Sequence, residues 1–222
     1  MARPFALALW IASVPTAVAA CDTALVLAID VSNSVDEAEY RLQVDGLADA
    51  LADPMVIEAA TVGKVSMTVL QWSASSQQRV TTPWTSMQDR ATLARFAAEV
   101  RATPRAFTLG GTAPAEAIEA ALDLIAAGPV CHRKVIDISG DGTPNDGGDV
   151  ETARRRAELE GVTVNGIAIE SMGVAISQFY ARRLVSRDGF VMTARAHRDY
   201  PRAIKAKLRR ELVRVVGQAT PP

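Results

Sequence analysis

The sequence predicts a three-layer α/β fold: a doubly wound, mostly parallel six-stranded sheet with helices on both faces and one antiparallel edge strand. Three observations carry this. Apolar runs rich in Val and Ile recur along the chain, among them "TALVLAID", "KVSMTVLQW", "KVIDISGD" and "VTVNGIAIE", as strands buried on both faces do. Between them lie segments of helical periodicity, which makes the βα unit the repeating element. The 222 residues, 49% hydrophobic and 22% charged, suit one domain with a sizeable core.

Taken in order, residues 1–20, "MARPFALALWIASVPTAVAA", read as a secretory signal, with a basic start, an apolar centre and small residues at the end. Pro4 and Pro15 leave an apolar stretch shorter than the roughly 20 residues a spanning helix needs. The mature domain is therefore expected at 21–217, exported to a periplasmic or extracellular space, with a flexible tail at 218–222. "TALVLAID" is the first strand. A helix is expected from about Val35 to Ala60, with Leu42, Leu47 and Leu51 at helical spacing and Asp36, Glu37 and Glu39 at its positive end. "KVSMTVLQW" is a strand and "QQRVTTPW" the edge strand, because Pro83 cannot donate to a ladder. Then follow a helix in "DRATLARFAAEVRA", a Gly-rich loop opening a helix in "TLGGTAPAEAIEAALDLIAAG", the strand "KVIDISGD" and the helix "GDVETARRRAELEG". The strand "VTVNGIAIE", the helix "ISQFYARRLVSRDG", the strand "FVMTARA" and the helix "YPRAIKAKLRRELVRVV" complete the chain.

Export makes the two cysteines informative, since an oxidising compartment lets thiols pair. Cys21 lies nine residues before Asp30, and Cys131 ten before Asp141, each Asp closing a strand. If those strands are parallel neighbours, the thiols meet at the opposite end of the sheet. The bridge would close a loop of about 110 residues, worth roughly 4–5 kcal/mol in the chain-entropy model. The rival reading takes "VAAC" as a lipoprotein cleavage box with a lipid on Cys21.

Ligands of open α/β sheets bind beyond the carboxyl ends of the strands. Three loops at that edge carry chemistry: Asp30, Ser32 and Ser34 in "DVSNS"; Thr112 in "GGT"; and Asp141 in "SGDGTPNDGG". Each has a plainer explanation. Ser34 with Glu37 fits a capping box, Thr112 before Pro114 fits an N-cap, and Asp141 before Gly142 fits a turn. Together they offer two carboxylates and three hydroxyls, a set suited to Mg²⁺, or to Mn²⁺ or Ca²⁺, and no Cys or His cluster accompanies them for zinc.

These motifs, in this order, resemble the metal-ion-dependent adhesion site (MIDAS) of von Willebrand factor type A domains, whose pattern is Asp-x-Ser-x-Ser, a distant Thr and a distant Asp. The resemblance covers nearly the whole mature chain. It implies that Ser32 and Ser34 bind the cation directly and that Thr112 binds directly or through water. Asp30 and Asp141 would hold coordinating waters. An acidic side chain of a partner protein would complete the coordination. The signal, paired cysteines and bare domain also resemble a bacterial group of exported proteins of unknown function. The expected function is thus cation-dependent protein recognition by a chain that is monomeric alone, and not catalysis.

Other chemistries fit less well. A Mg²⁺-dependent phosphatase of the haloacid-dehalogenase type would use Asp30 as nucleophile and "GDGTPND" as an acidic loop. It needs a second acid two residues after the nucleophile, and that position is Ser32. A scaffold with a non-functional metal site is a further alternative. A serine hydrolase has only His132 and His197 as bases and lacks a Gly-x-Ser-x-Gly elbow; of the two, His197 follows the last strand and could reach the crevice. The formal charge of -1 and the absence of a basic run exclude a nucleic-acid footprint. "IKAKLRRELVR" reads as a solvated helix face. Trp72 and Trp84 read as core or sheet cover. Asp137, inside an apolar strand, needs a partner, with Arg133 or a backbone amide as candidates. Asp146 and Asp149 read as loop and helix cap, with a ligand contact at the rim open to either.

Overall fold

The computed structural model describes residues 21–171 and 173–217, with side chains to position 212. The expected signal at 1–20 and the tail at 218–222 lie outside the described residues. Six strands form one sheet in the order β3-β2-β1-β4-β5-β6: β1 Cys21–Asp30, β2 Ser66–Trp72, β3 Gln78–Ser86, β4 Cys131–Gly140, β5 Thr163–Ile169 and β6 Val191–Ala194. All neighbours are parallel except β2 and β3. The edge strand β3 is mostly open to solvent and holds Pro83, as its lack of a donor requires.

The helices are α1 Glu37–Leu51, α2 Pro54–Val62, α3 Arg90–Ala102, α4 Pro114–Ala126, α5 Val150–Leu159, α6 Ala175–Phe179 and α7 Tyr200–Gly217. Alternation along the strands sorts the core into two layers. Leu25, Leu27, Ile29, Val135 and Ile167 face α1, α2, α3 and α7. Val26, Ala28, Ile136, Ile138 and Val164 face α4, α5 and α6. Each of these side chains, fully buried, contributes about 1.5–3 kcal/mol where it is large, so the two central strands anchor both layers.

Four expectations need correction. The single helix over 35–60 is two helices. Pro54 lacks the amide an uninterrupted helix requires, and Asp53 instead caps α2 by accepting from Met55 N at 3.1 Å. The capping box of α1 is Asp36 with Glu39, at 2.8 and 2.9 Å, not Ser34 with Glu37. The helix expected over 176–189 is the short α6 followed by a π-helical turn, Tyr180–Leu184. The basic stretch of α7 is not merely a solvated face: Lys207 and Glu211 lie in the same buried stripe as Ile204, Leu208 and Leu212.

Lys207 answers the question of Asp137, with which it forms a buried ion pair across the β4–α7 interface. Burial pushes the Asp137 carboxyl up to about 6, against the opposing pull of Lys207. Arg133 pairs instead with Glu211, at 2.7 Å, and Asn165 of β5 donates to the other Glu211 oxygen at 2.5 Å. Asp53 adds a second clasp on α7, through Arg209 at 2.6 Å and Lys205 at 3.0 Å. The Arg209 hydrogen bonds hold the Asp53 carboxyl well below its usual range.

Cys21 and Cys131 are register partners on β1 and β4 and form a disulfide, with Cα atoms 4.8 Å apart. Reduction, or the Cys21→Ser/Cys131→Ser double variant, should lower unfolding free energy by about 2–4 kcal/mol in urea titrations; an unchanged midpoint would show that the sheet needs no clamp there. Lys207→Met should cost about 3–5 kcal/mol by leaving Asp137 uncompensated, and Asp137→Leu/Lys207→Met should recover most of it. Equal losses in both variants would mean that packing, not charge, sets the cost.

Candidate metal centre

Because β1 and β4 are parallel neighbours, their carboxyl ends deliver Asp30 and the Asp141 that follows Gly140 to one edge of the sheet. Two more loops are tied in by backbone hydrogen bonds. Asn33 N donates to Gly110 O at 3.1 Å, Ala113 N to Ser73 O at 3.0 Å, and Asn145 N to Thr112 O at 3.1 Å. The result is one connected cluster of all five residues that the sequence singled out. The Ser32 amide donates to Asp30 Oδ1 at 2.7 Å, and the Ser32 and Ser34 hydroxyls stand 3.1 Å apart. Thr112 Oγ1 donates to Ser32 Oγ at 3.3 Å, and Ser34 Oγ to Asp141 Oδ1 at 2.5 Å.

The plainer capping roles of Ser34 and Thr112 are vacated. Asp36 caps α1, so Ser34 does not. Ala113 occupies the N-cap of α4 without a side-chain hydrogen bond, so Thr112 caps nothing. Asp30, Ser32 and Thr112 are buried while Ser34 is exposed, which makes Ser34 the outward rim.

The electrostatics are unfavourable as they stand. Burial, then the nearby charge of Asp141, push the Asp30 carboxyl up to about 7, opposed by hydrogen bonds from Ser32 and the Asp141 amide. Asp30 Oδ2 has no hydrogen-bond partner among the described residues, and neither has the buried Tyr180 hydroxyl beside it. Tyr180 is held well above its usual range by burial and by the two aspartates. Gly140 makes this crowding feasible. A Cβ there would lie 2.7 Å from the Tyr180 hydroxyl and 2.9 Å from Asp30 Oδ2. Two carboxylates, one of them with an orphaned oxygen, and three hydroxyls form a hard, oxygen-only set, the donor chemistry of Mg²⁺, Mn²⁺ or Ca²⁺.

Several positioning residues were not apparent from the sequence. Arg105 donates to Val31 O at 3.0 Å and Ser32 O at 2.8 Å, fastening the serine loop. Asn145 Oδ1 accepts from Thr112 N at 2.7 Å. Asp146 accepts from Ser75 N at 2.9 Å and so anchors a loop, and Asp149 caps α5. His197 does reach the crevice, whereas His132 sits exposed beside the disulfide at the far end. Trp72 is buried in the core and Trp84 covers the sheet, donating to Leu124 O at 3.2 Å.

Residues 20–216 match a family model described as "Protein of unknown function (DUF1194)". No curated protein matches the sequence. Among solved structures, the chain is similar to proximal thread matrix protein 1 from the mussel byssus, with a TM-score of 0.66 at 16% identity over 85% of this chain and 47% of that one. Another structure of that protein, TM-score 0.62 at 17% identity over 86% of this chain and 46% of that one, is described as having a zinc-occupied MIDAS motif. The vWF domain of the type V pilus tip protein Mfa5 from Porphyromonas gingivalis aligns with TM-score 0.65 at 11% identity, over 93% of this chain and 99% of that one. A von Willebrand factor type A protein from Catenulispora acidiphila gives 0.61 at 19%, over 89% and 43%. The chain thus spans about half the length of the first of these. At such identities the likeness shows the fold, which is that of a von Willebrand factor type A domain.

Gly140→Ala should lower stability by about 1–3 kcal/mol, since the added methyl has no room, and Tyr180→Phe in the same chain should recover part of it. Thermal unfolding of the two variants tests this; no recovery would mean that Asp30, not Tyr180, is the obstacle.

Proposed function

This chain belongs to the DUF1194 family, proteins of unknown function, and from its site we propose that it is an exported recognition module that binds a divalent cation and, through it, an acidic group of a partner protein. One observation supports this above all: three loops converge Asp30, Ser32, Ser34, Thr112 and Asp141 into one cluster in which neither Ser34 nor Thr112 serves as a cap. Ser32, Ser34 and Thr112 would hold the ion through hydroxyl oxygens. Asp30 and Asp141 would hold its coordinating waters rather than bind it directly. When bound, the cation supplies a positive centre that accepts an external carboxylate. Neutral hydroxyl ligands leave that charge largely uncancelled. The exposed Ser34 gives the partner access, and Leu109, 73% exposed next to Gly110, adds an apolar contact at the rim. The Mfa5 neighbour, described as a pilus tip protein, supports an adhesive role.

The phosphatase alternative is weakened by the position of Asp30, which is fully buried with Oδ1 engaged by the Ser32 amide. Ser32, where that chemistry needs a general acid, is a hydroxyl. Export rests on the expected signal at 1–20 and on the disulfide, which belongs to oxidising compartments. No helix among the described residues is long and apolar enough to cross a membrane.

Calorimetric titration of Mg²⁺ and Mn²⁺ into the disulfide-bonded chain should give saturable one-site binding, abolished by Asp30→Asn and Ser34→Ala. At a hundredfold excess over Kd the cation should raise unfolding free energy by about 2.7 kcal/mol. Asp30→Asn should leave the cation-free protein at least as stable as wild type, because it removes a charge that burial and Asp141 disfavour. Flat titrations with both ions would overturn the proposal.

A further inference from the structure

His197, in the short 3₁₀ turn before α7, is 8% exposed and lies beside the five-residue cluster. Its Nδ1 is 2.9 Å from Glu39 Oε1. Glu39 is itself fixed, because its other oxygen accepts from the Asp36 amide at 2.9 Å in the capping box of α1. With a ring proton on the Nδ1 that faces Glu39, Nε2 would offer its lone pair. Nε2 has no hydrogen-bond partner among the described residues and points toward Asp141 Oδ2, 3.8 Å away.

The gap is close to what a shared ion needs. Nitrogen and oxygen ligands about 2.0–2.2 Å from zinc stand about 3.4 Å apart at the tetrahedral angle. The ligand atoms of Glu39, Asp141 and His197 all fall within 4.8 Å of one another. Asp141 is divided between two neighbourhoods, with Oδ1 receiving the Ser34 hydroxyl and Oδ2 facing the imidazole. We propose that His197 Nε2 and Asp141 Oδ2 form a second cation site, distinct from the hydroxyl cluster and selective for a transition ion of the zinc type. Glu39 acts as a positioning residue, holding the tautomer and orientation of the ring, as carboxylates behind metal-bound histidines do. Imidazole favours Zn²⁺ and Co²⁺ over Mg²⁺, so the two sites sort ions by donor type although Asp141 borders both. The inference rests on the His197–Asp141 pair with Glu39 behind it and stands whether or not the hydroxyl cluster binds Mg²⁺.

The test is titration of Zn²⁺ and Co²⁺ into the disulfide-bonded chain with Mg²⁺ held in excess, following heat and Co²⁺ d–d absorption. One ion should bind. His197→Ala should weaken it at least tenfold while leaving Mg²⁺ binding unchanged, and Ser34→Ala should do the reverse. Glu39→Gln, which retains the capping box, should weaken Zn²⁺ by about 10–100-fold. The wild-type chain gives an independent readout, since it has two histidines: Co²⁺ should shift the His197 ring resonances and spare those of His132. Equal Zn²⁺ affinity in wild type and His197→Ala, or unshifted His197 resonances, would overturn the proposal. Loss of Zn²⁺ in Ser34→Ala with none in His197→Ala would assign both ions to the hydroxyl cluster.

Discussion

Two carboxyl groups held together largely out of water are the constraint on which the rest of this molecule depends. Asp30 and Asp141 meet because β1 and β4 pair in parallel and end at the same level, and among the described residues no Lys or Arg forms an ion pair with either. Sustaining that arrangement takes rigidity elsewhere. The central strands are buried on both faces, the disulfide fixes their far ends in register, and Gly140 supplies the space in which Asp30 and Tyr180 crowd together. The fold holds an unfavourable pocket at one edge by being over-determined everywhere behind it.

A second electrostatic arrangement, under α7, has the opposite character. Asp137 with Lys207, and Glu211 with Arg133 and Asn165, are buried charges that find partners within the chain. Asp53, at the start of α2, holds Arg209 and Lys205 on another side of the same helix. Desolvation makes such pairs weak sources of stability, but they are demanding about geometry. They set the rotation and height of α7 on the sheet, and therefore the place of His197, which enters just ahead of that helix.

The architecture was legible because its signals are long and repeated: apolar strand runs, helical stripes and Gly or Pro punctuation. The gathering of Asp30, Ser32, Ser34, Thr112 and Asp141 at one sheet edge was legible because type and spacing together singled them out, even though each loop taken alone had an ordinary explanation. Local competition was harder to read. Ser34 and Asp36 are both good caps, and only the structure shows that Asp36 takes the role. Pro54 breaks a helix whose leucine spacing runs smoothly past it. Lys207 and Glu211 look solvated because their partners, Asp137, Arg133 and Asn165, are distant in the chain. Arg105, Asn145 and Glu39 act by position alone, and pairwise proximity across the sheet edge leaves no trace in a linear pattern.

The disulfide and the five-residue cluster sit at opposite ends of the same pair of strands. A pull applied to a partner at the cluster and resisted at Cys21 would run along the axis of β1, parallel to its hydrogen-bonded neighbours. The ladders to β2 and β4 would then be loaded in shear, with many bonds sharing the force at once, while the covalent bridge joins the trailing ends of the two central strands. Under such a load the two central strands would act as a tie rod, stiff between the cluster and the disulfide.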